Sequence, residues 1–210
     1  MHSIVRNIFT SVLLLSAAVA FANAATAFTE SEITLQTPTG NIFGTLALPS
    51  MKGPVPVVLL IAGSGPTDRD GNSAALPGKI DNLKELAAAL AQRGIASVRY
   101  DKRGIAASAA AMTAEKDIRF DTYIADAAAW IAMLRADPRF SRVVVAGHSE
   151  GSLIGMIAAH RGDAAAFVSL EGAGRPAYTV LHEQIAPALS PALLSKMDTV
   201  MAQLRAGKVY

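Results

Sequence analysis

Apolar and polar positions alternate with a period of two at the start of the folded part of the chain. Ile33, Leu35 and Thr37 fall on one side with Thr34 and Gln36 between them, and residues 42–48 form a second short run. Residues 32–48 therefore predict a β-hairpin turning at Thr39-Gly40-Asn41. Residues 55–62 (VPVVLLIA) are almost continuously apolar, the pattern of a strand buried on both faces, and end in the turn chemistry of Gly63-Ser64-Gly65-Pro66. Leu83, Leu86, Ala87 and Leu90 then fall at i, i+3, i+4 and i+7 before Gly94, behind an Asn82/Glu85 capping-box spacing, which predicts a helix. Residues 95–100 predict a strand, 121–136 a helix with Ile124, Ala127, Ile131 and Leu134 inward, and 142–146 a strand. Residues 150–160 predict a helix and 166–170 a sixth strand. Strands alternating with helices in this way make parallel β-α-β units, a mostly parallel sheet with helices on both faces. In such sheets chemistry gathers at the carboxyl ends of the strands, here just after Ile61, Tyr100, Ala146 and Leu170.

The first 24 residues have a different pattern. His2 and Arg6 precede the apolar run 12–21, and Ala22-Asn23-Ala24 follows, the three-part layout of a secretory signal peptide cleaved after Ala24. A membrane anchor is the alternative, but the apolar run is about half of the roughly 20 residues that a spanning helix needs. An exported chain, periplasmic or secreted, is the expectation, with no membrane span after cleavage. Composition adds exclusions. The chain has 210 residues and no cysteine, so neither a thiolate metal centre nor a disulfide framework is available and the apolar core must hold the fold. With 19 Lys and Arg against 17 Asp and Glu, nothing points to nucleic acid as a partner. The four histidines lack ligand spacing and no dinucleotide fingerprint follows the first strands, so neither metal nor cofactor is expected.

Gly147-His148-Ser149-Glu150-Gly151 fits G-x-S-x-G directly after a strand and before a helix. This is the context of a nucleophile elbow, a strained turn whose glycines make room for it and whose serine stands at a helix N-terminus, where partial positive charge favours a developing alkoxide. An ordinary Gly/Ser turn is the bland alternative. Acyl transfer also needs two backbone N–H groups aimed at an oxyanion. Glu150, next after the serine, supplies one by position, and Ser64, in the glycine-rich loop after the third strand, is the candidate for the other.

Taken together, Ala62-Gly63-Ser64-Gly65-Pro66, Tyr100-Asp101-Lys102-Arg103-Gly104 and Gly147-His148-Ser149-Glu150-Gly151 make the chain resemble the α/β-hydrolase superfamily, and within it the bacterial exported serine hydrolases of the esterase and S9/S33-peptidase-like kind. The resemblance runs from about Ile33 to Gly174. It implies an α/β-hydrolase fold and a serine hydrolase, carboxylesterase-like, acting on a small-molecule ester or acyl substrate with Ser149 as nucleophile. Peptidase or thioesterase activity on the same fold stays open. The resemblance also implies that Asp101 and Arg103 tie loops together, with a basic substrate-binding patch as the alternative reading. Gly104-Ile105-Ala106-Ala107-Ser108 has alanine where the family's second glycine is usual.

In that superfamily the acid and the histidine follow the serine, after the seventh and eighth strands. No strand pair is visible beyond Leu170, so the last two strands are missing and a C-terminally truncated hydrolase is the expectation, its base a histidine beyond residue 210. A chain that has kept the elbow and lost its base, and so binds or does nothing, is the competing expectation. His148 is expected to be aimed away from Ser149; His160 lies about 16 Å along the same helix; His182 stands in the wrong part of the chain. Asp163, Glu171, Glu183 and Asp198 say nothing without a histidine, and Glu171 after the sixth strand reads as a solvated carboxylate. Triad acid and base are therefore unassigned. Residues 25–174 form the expected core and 175–210 a helical lid-like segment. In the latter Ser190-Pro191 opens a helix carrying Leu194, Met197, Val200, Met201 and Leu204 on one side.

Overall fold

The computed structural model describes residues 26–208; the expected leader, residues 1–24, lies outside them. Six strands form one sheet in the order β1-β2-β4-β3-β5-β6. They are β1 (Phe28–Thr37), β2 (Gly40–Pro49), β3 (Val55–Ile61), β4 (Ala96–Tyr100), β5 (Phe140–His148) and β6 (Ala166–Leu170). The hairpin β1–β2 and the β2–β4 pair are antiparallel, and β4, β3, β5 and β6 run parallel. Helices α1 (Asn82–Ala91), α2 (Phe120–Ala136) and α3 (Glu150–Arg161) make the crossovers, and α4 (Ala177–Ile185) and α5 (Pro191–Arg205) follow β6.

The continuous apolar run of β3 has a direct physical reason. Val57, Leu59 and Ile61 face a core layer built from α2 and α3 through Trp130, Ile131, Leu134, Ile154 and Ala158. Val58 and Leu60 face a second, smaller layer with Ala87 and Ala91 of α1. A strand buried from both sides cannot alternate with polar residues. Trp130, the only tryptophan, is fully buried and packs its ring against Tyr100 at 5.6 Å between centroids. Burial holds the Tyr100 phenol well above its ordinary range, with the Asp126 carboxylate adding to it.

Two local expectations are corrected. The hairpin turns at Pro38-Thr39, since Thr37 pairs with Gly40 and both strands are longer than the alternation alone indicates. The capping box at Asn82 and Glu85 does not form. Asp81, in the left-handed region at φ 51°, is the cap residue, held there because Asn72 Oδ1 accepts from the N–H groups of Ile80 and Asp81. The helix itself forms where the periodicity places it. Ser190 does cap α5, its hydroxyl accepting from Leu193 N–H at 3.4 Å.

No residue of α4 or α5 is fully buried. The two helices hold one another by polar contacts: Tyr178 Oη donates to Asp198 at 3.4 Å, and Arg205 lies over the Tyr178 ring at 5.5 Å. Leu194, Met197, Val200 and Met201 are half-buried and Leu204 is exposed. Among the described residues no helix is long and apolar enough to cross a membrane.

The contrast between the two parts predicts their mutational cost. Trp130→Ala should lower stability by about 3–5 kcal/mol, while Leu204→Ala should stay within about 0.5 kcal/mol. Urea unfolding followed by far-ultraviolet circular dichroism measures both.

Candidate active site

Ser149 stands between the end of β5 and the start of α3 with φ 52° and ψ −118°, a conformation that a non-glycine residue holds only when its surroundings impose it. The surroundings are tight. A Cβ at Gly147 would fall on the carbonyl of Gly151 and lie 2.7 Å from Ser152 Cα, and one at Gly151 would meet the carbonyl oxygens of Ile61 and Ala62. The turn thus presses directly on the end of β3, and only glycine fits at either flank. On the other side Ser149 N–H donates to Leu170 O at 2.9 Å, and Ser152 Oγ and Ser169 Oγ are 2.6 Å apart, so the end of β6 is fastened to the first turn of α3. Ser149 is exposed, and its hydroxyl caps none of the helix N–H groups behind it.

The loop after β3 comes up against this turn. A Cβ at Gly63 would be 3.4 Å from Ser149 Cβ and 3.1 Å from His148 Nδ1, so the Gly63–Ser64 peptide lies beside the serine. Among the described residues no protein acceptor takes the N–H of Ser64 or that of Glu150. The rest of the loop is anchored by charge. Asp68 Oδ1 accepts from Asp70 and Asn72 N–H, and Asp70 pairs with Arg99 at 2.7 Å. Arg69 places its backbone N–H, Nε and one terminal nitrogen on the buried Asp101 carboxylate.

Three consecutive charged residues after β4 are all buried: Asp101, Lys102 and Arg103. Lys102 Nζ donates to Gly63 O at 2.6 Å and to Glu150 Oε1 at 3.0 Å. Arg103 donates to both Asp126 oxygens, to Ala111 O at 2.7 Å and to the hydroxyls of Thr37 and Thr39. Asp101 and Arg103 therefore tie loops together as the resemblance implied. Lys102, Arg69, Asp70 and Asp126 escape sequence reasoning, because a charged residue met in a sequence is expected at the surface. The available signal was three charges in a row directly after a strand with no exposed position.

The histidines stay apart from Ser149 Oγ in their hydrogen bonding. His148 is not turned fully away, as its Nδ1 and Ser149 Cβ both border the space above Gly63. His160 is exposed on α3, and His182 Nε2 lies 3.3 Å from Asp198 Oδ1 between α4 and α5. Glu171 is exposed at φ 52° and Asp163 is exposed. Glu183 pairs with Arg175, which holds its carboxyl below the ordinary range. Among the described residues no cluster of His, Asp or Glu has the makings of a metal site.

Residues 78–209 match a family model described as serine aminopeptidase, S33. Over 176 residues the chain is 31% identical to the esterase EstD of Thermotoga maritima, an alignment covering 83% of this chain and 40% of that protein. The chain thus spans about two fifths of that relative's length. An α/β serine hydrolase without lid from Xanthomonas campestris superposes with a TM-score of 0.53 at 24% identity, over 70% of this chain and 63% of that one. The α/β hydrolase GrgF from Penicillium gives 0.55 at 18%, over 76% and 53%. Brefeldin A esterase, a bacterial homologue of human hormone sensitive lipase, gives 0.52 at 23%, over 85% and 49%. At these identities the solved structures speak for the fold, and the fold is the α/β-hydrolase fold the motifs implied.

The buried Arg103–Asp126 pair behind the site generates a prediction. Desolvation raises the Asp126 carboxyl above the ordinary aspartate range despite the lowering pull of Arg103. The folded state then holds this proton more tightly than the unfolded chain. The contribution is fully present below about pH 3.9 and is lost as pH rises through the folded value. Asp126→Leu alone should cost about 3–5 kcal/mol by stranding Arg103, and the Arg103→Met/Asp126→Leu pair should recover most of it. Denaturation midpoints of the three proteins between pH 3 and 7 measure both effects.

Proposed function

The chain belongs to the serine aminopeptidase S33 family, and from that membership we propose that it is a serine hydrolase cleaving carboxylic esters through an acyl-enzyme on Ser149. One observation carries this: an exposed serine on a strained turn bordered by Gly63, whose following peptide N–H, that of Ser64, finds no protein acceptor among the described residues. In the proposed reaction Ser149 Oγ forms a bond to the substrate carbonyl carbon, and the carbonyl electron pair moves onto oxygen. The N–H groups of Ser64 and Glu150 receive that charge without having to reorganise, since the loop after β3 and the first turn of α3 that carry them are already fixed. Collapse of the tetrahedral species expels the alcohol with the proton taken from Ser149, and water then releases the acid. Among the described residues no histidine bonds to Ser149 Oγ, and the proposal leaves the base and its acid unassigned.

Esters are favoured over peptides by the likeness to an esterase. The half-buried apolar side of α5 supports a lid-like role for residues 175–210 over a small acyl substrate. No nucleic acid or cofactor enters the scheme. The layout of residues 1–24 supports export to the periplasm or beyond, with cleavage after Ala24.

A fluorophosphonate probe should label the folded protein at one site, and Ser149→Ala should abolish the label. Absence of labelling on a folded wild-type chain would overturn the serine nucleophile in favour of a domain that has kept the turn without its base. Without triad partners only about 10³–10⁴ over water would remain. Comparing p-nitrophenyl acetate with an aminoacyl p-nitroanilide separates esterase from peptidase, with faster turnover expected for the ester.

A further inference from the structure

We propose that Lys102 is a positioning residue for the oxyanion hole, holding both of its backbone donors in place; this rests on the assignment of Ser64 and Glu150 above. The geometry is specific. Gly63 O and Ser64 N–H belong to one peptide plane, and in a trans peptide they point in opposite directions. Lys102 Nζ, 2.6 Å from Gly63 O, fixes the direction of that carbonyl and with it the opposite direction of the Ser64 N–H, in the loop whose Gly63 borders Ser149. The same ammonium reaches Glu150 Oε1 at 3.0 Å, and Glu150 carries the second N–H. One buried cation therefore grips the peptide that bears one donor and the side chain of the residue that bears the other.

Charge strengthens the effect in two ways. A hydrogen bond from an ammonium is about twice as strong as a neutral one, and a donor on a carbonyl polarises the N–H across the same peptide. Lys102 is only 4% exposed and its bond to Gly63 O is buried, so water does not compete there, while the Glu150 carboxylate at the other end stays partly open to solvent. Its Nζ also lies 5.7 Å from the centroid of the Tyr123 ring, a third wall that confines the ammonium. The Glu150 carboxylate balances the charge, which lets a lysine remain there without a substrate anion. A mere structural tie would need no such aim, since any bond from β4 to the loop would serve.

Three variants decide the matter against the wild-type chain: Lys102→Met, Lys102→Gln and Lys102→Arg. Thermal melts establish folding. Fluorophosphonate labelling gives the reactivity of Ser149, p-nitrophenyl acetate gives kcat and KM, and a trifluoromethyl ketone that adds Ser149 Oγ gives the affinity for a tetrahedral oxyanion. Deleting an oxyanion donor outright costs about 10²–10³ in kcat, so misdirecting one should cost about 10–100-fold. Lys102→Met is expected to lose this in kcat and in ketone affinity alike, with KM within twofold. Lys102→Arg, which keeps the charge and a donor, should return within about tenfold of wild type. If Lys102→Met does not fold, Lys102→Gln still tests the point. Its neutral amide reaches for the same carbonyl, and labelling should slow about three- to tenfold.

Folded Lys102 variants that label and bind the ketone at wild-type rates would overturn this inference while leaving the Ser149 assignment intact. A wild-type chain that never labels overturns the assignment itself, and the role of Lys102 with it.

Discussion

Burying Asp101, Lys102 and Arg103 side by side at the carboxyl end of β4 commits much of the surrounding structure. A charge removed from water must be paired and hydrogen-bonded, and three in sequence cannot share one partner. Successive side chains leave a strand end in different directions, so each finds its own set of partners. Asp101 takes Arg69 from the loop after β3, Lys102 takes the Gly63 carbonyl and Glu150, and Arg103 takes Asp126 of α2 and the hydroxyls of the β1–β2 turn. The loop after β3, the start of α3, α2 and the β1–β2 turn are thereby referred to one strand end. The dense polar anchoring also accounts for a long segment between β3 and α1 that holds a defined path with little apolar cover of its own.

The turn at Ser149 depends on the same convergence. A serine at φ 52° is strained, and strain persists only where neighbouring contacts over-determine the backbone. Here β3 presses from one side through the close approach at Gly151, and Leu170 O takes the Ser149 N–H from the other. Parallel strands bring their carboxyl ends to one rim, so β3, β4, β5 and β6 all contribute to the same few ångströms of surface. The topology gathers the loops, and the buried charges fix their orientation within that gathering.

What could be read from the residues alone follows this division. Hydrophobic periodicity located every strand and helix of the sheet, because burial of β3 on both faces or of Ile124, Ala127, Ile131 and Leu134 on one is a local pattern with a long-range cause. The G-x-S-x-G turn was legible for the same reason: its glycines are required by contacts within a few residues and by the strand beneath. Features set by distant partners were hidden. The start of α1 belongs to Asp81 because Asn72, nine residues earlier, captures its N–H. Asp126 sits on the buried side of α2 because Arg103 waits there, and the alanines around it blur the helical stripe that would have marked the exception. Lys102 is the clearest case, since nothing near it in sequence separates a buried, aimed ammonium from a solvated one.

In the proposed reaction, a cation placed behind the peptide, with the substrate in front of it, has a chemical consequence of its own. A lysine pointing directly at the reacting carbonyl would form an ion pair with any carboxylate product and slow its departure. Behind the Gly63–Ser64 peptide the charge acts through the N–H dipole, which reaches its best alignment only when negative charge gathers on one oxygen. With Glu150 neutralising it in the resting state, the ammonium lends direction and polarisation while adding little net attraction for anions. An arrangement of that kind stabilises a transient oxyanion more than it binds either the neutral ester or the released acid, which is the differential that accelerates a reaction.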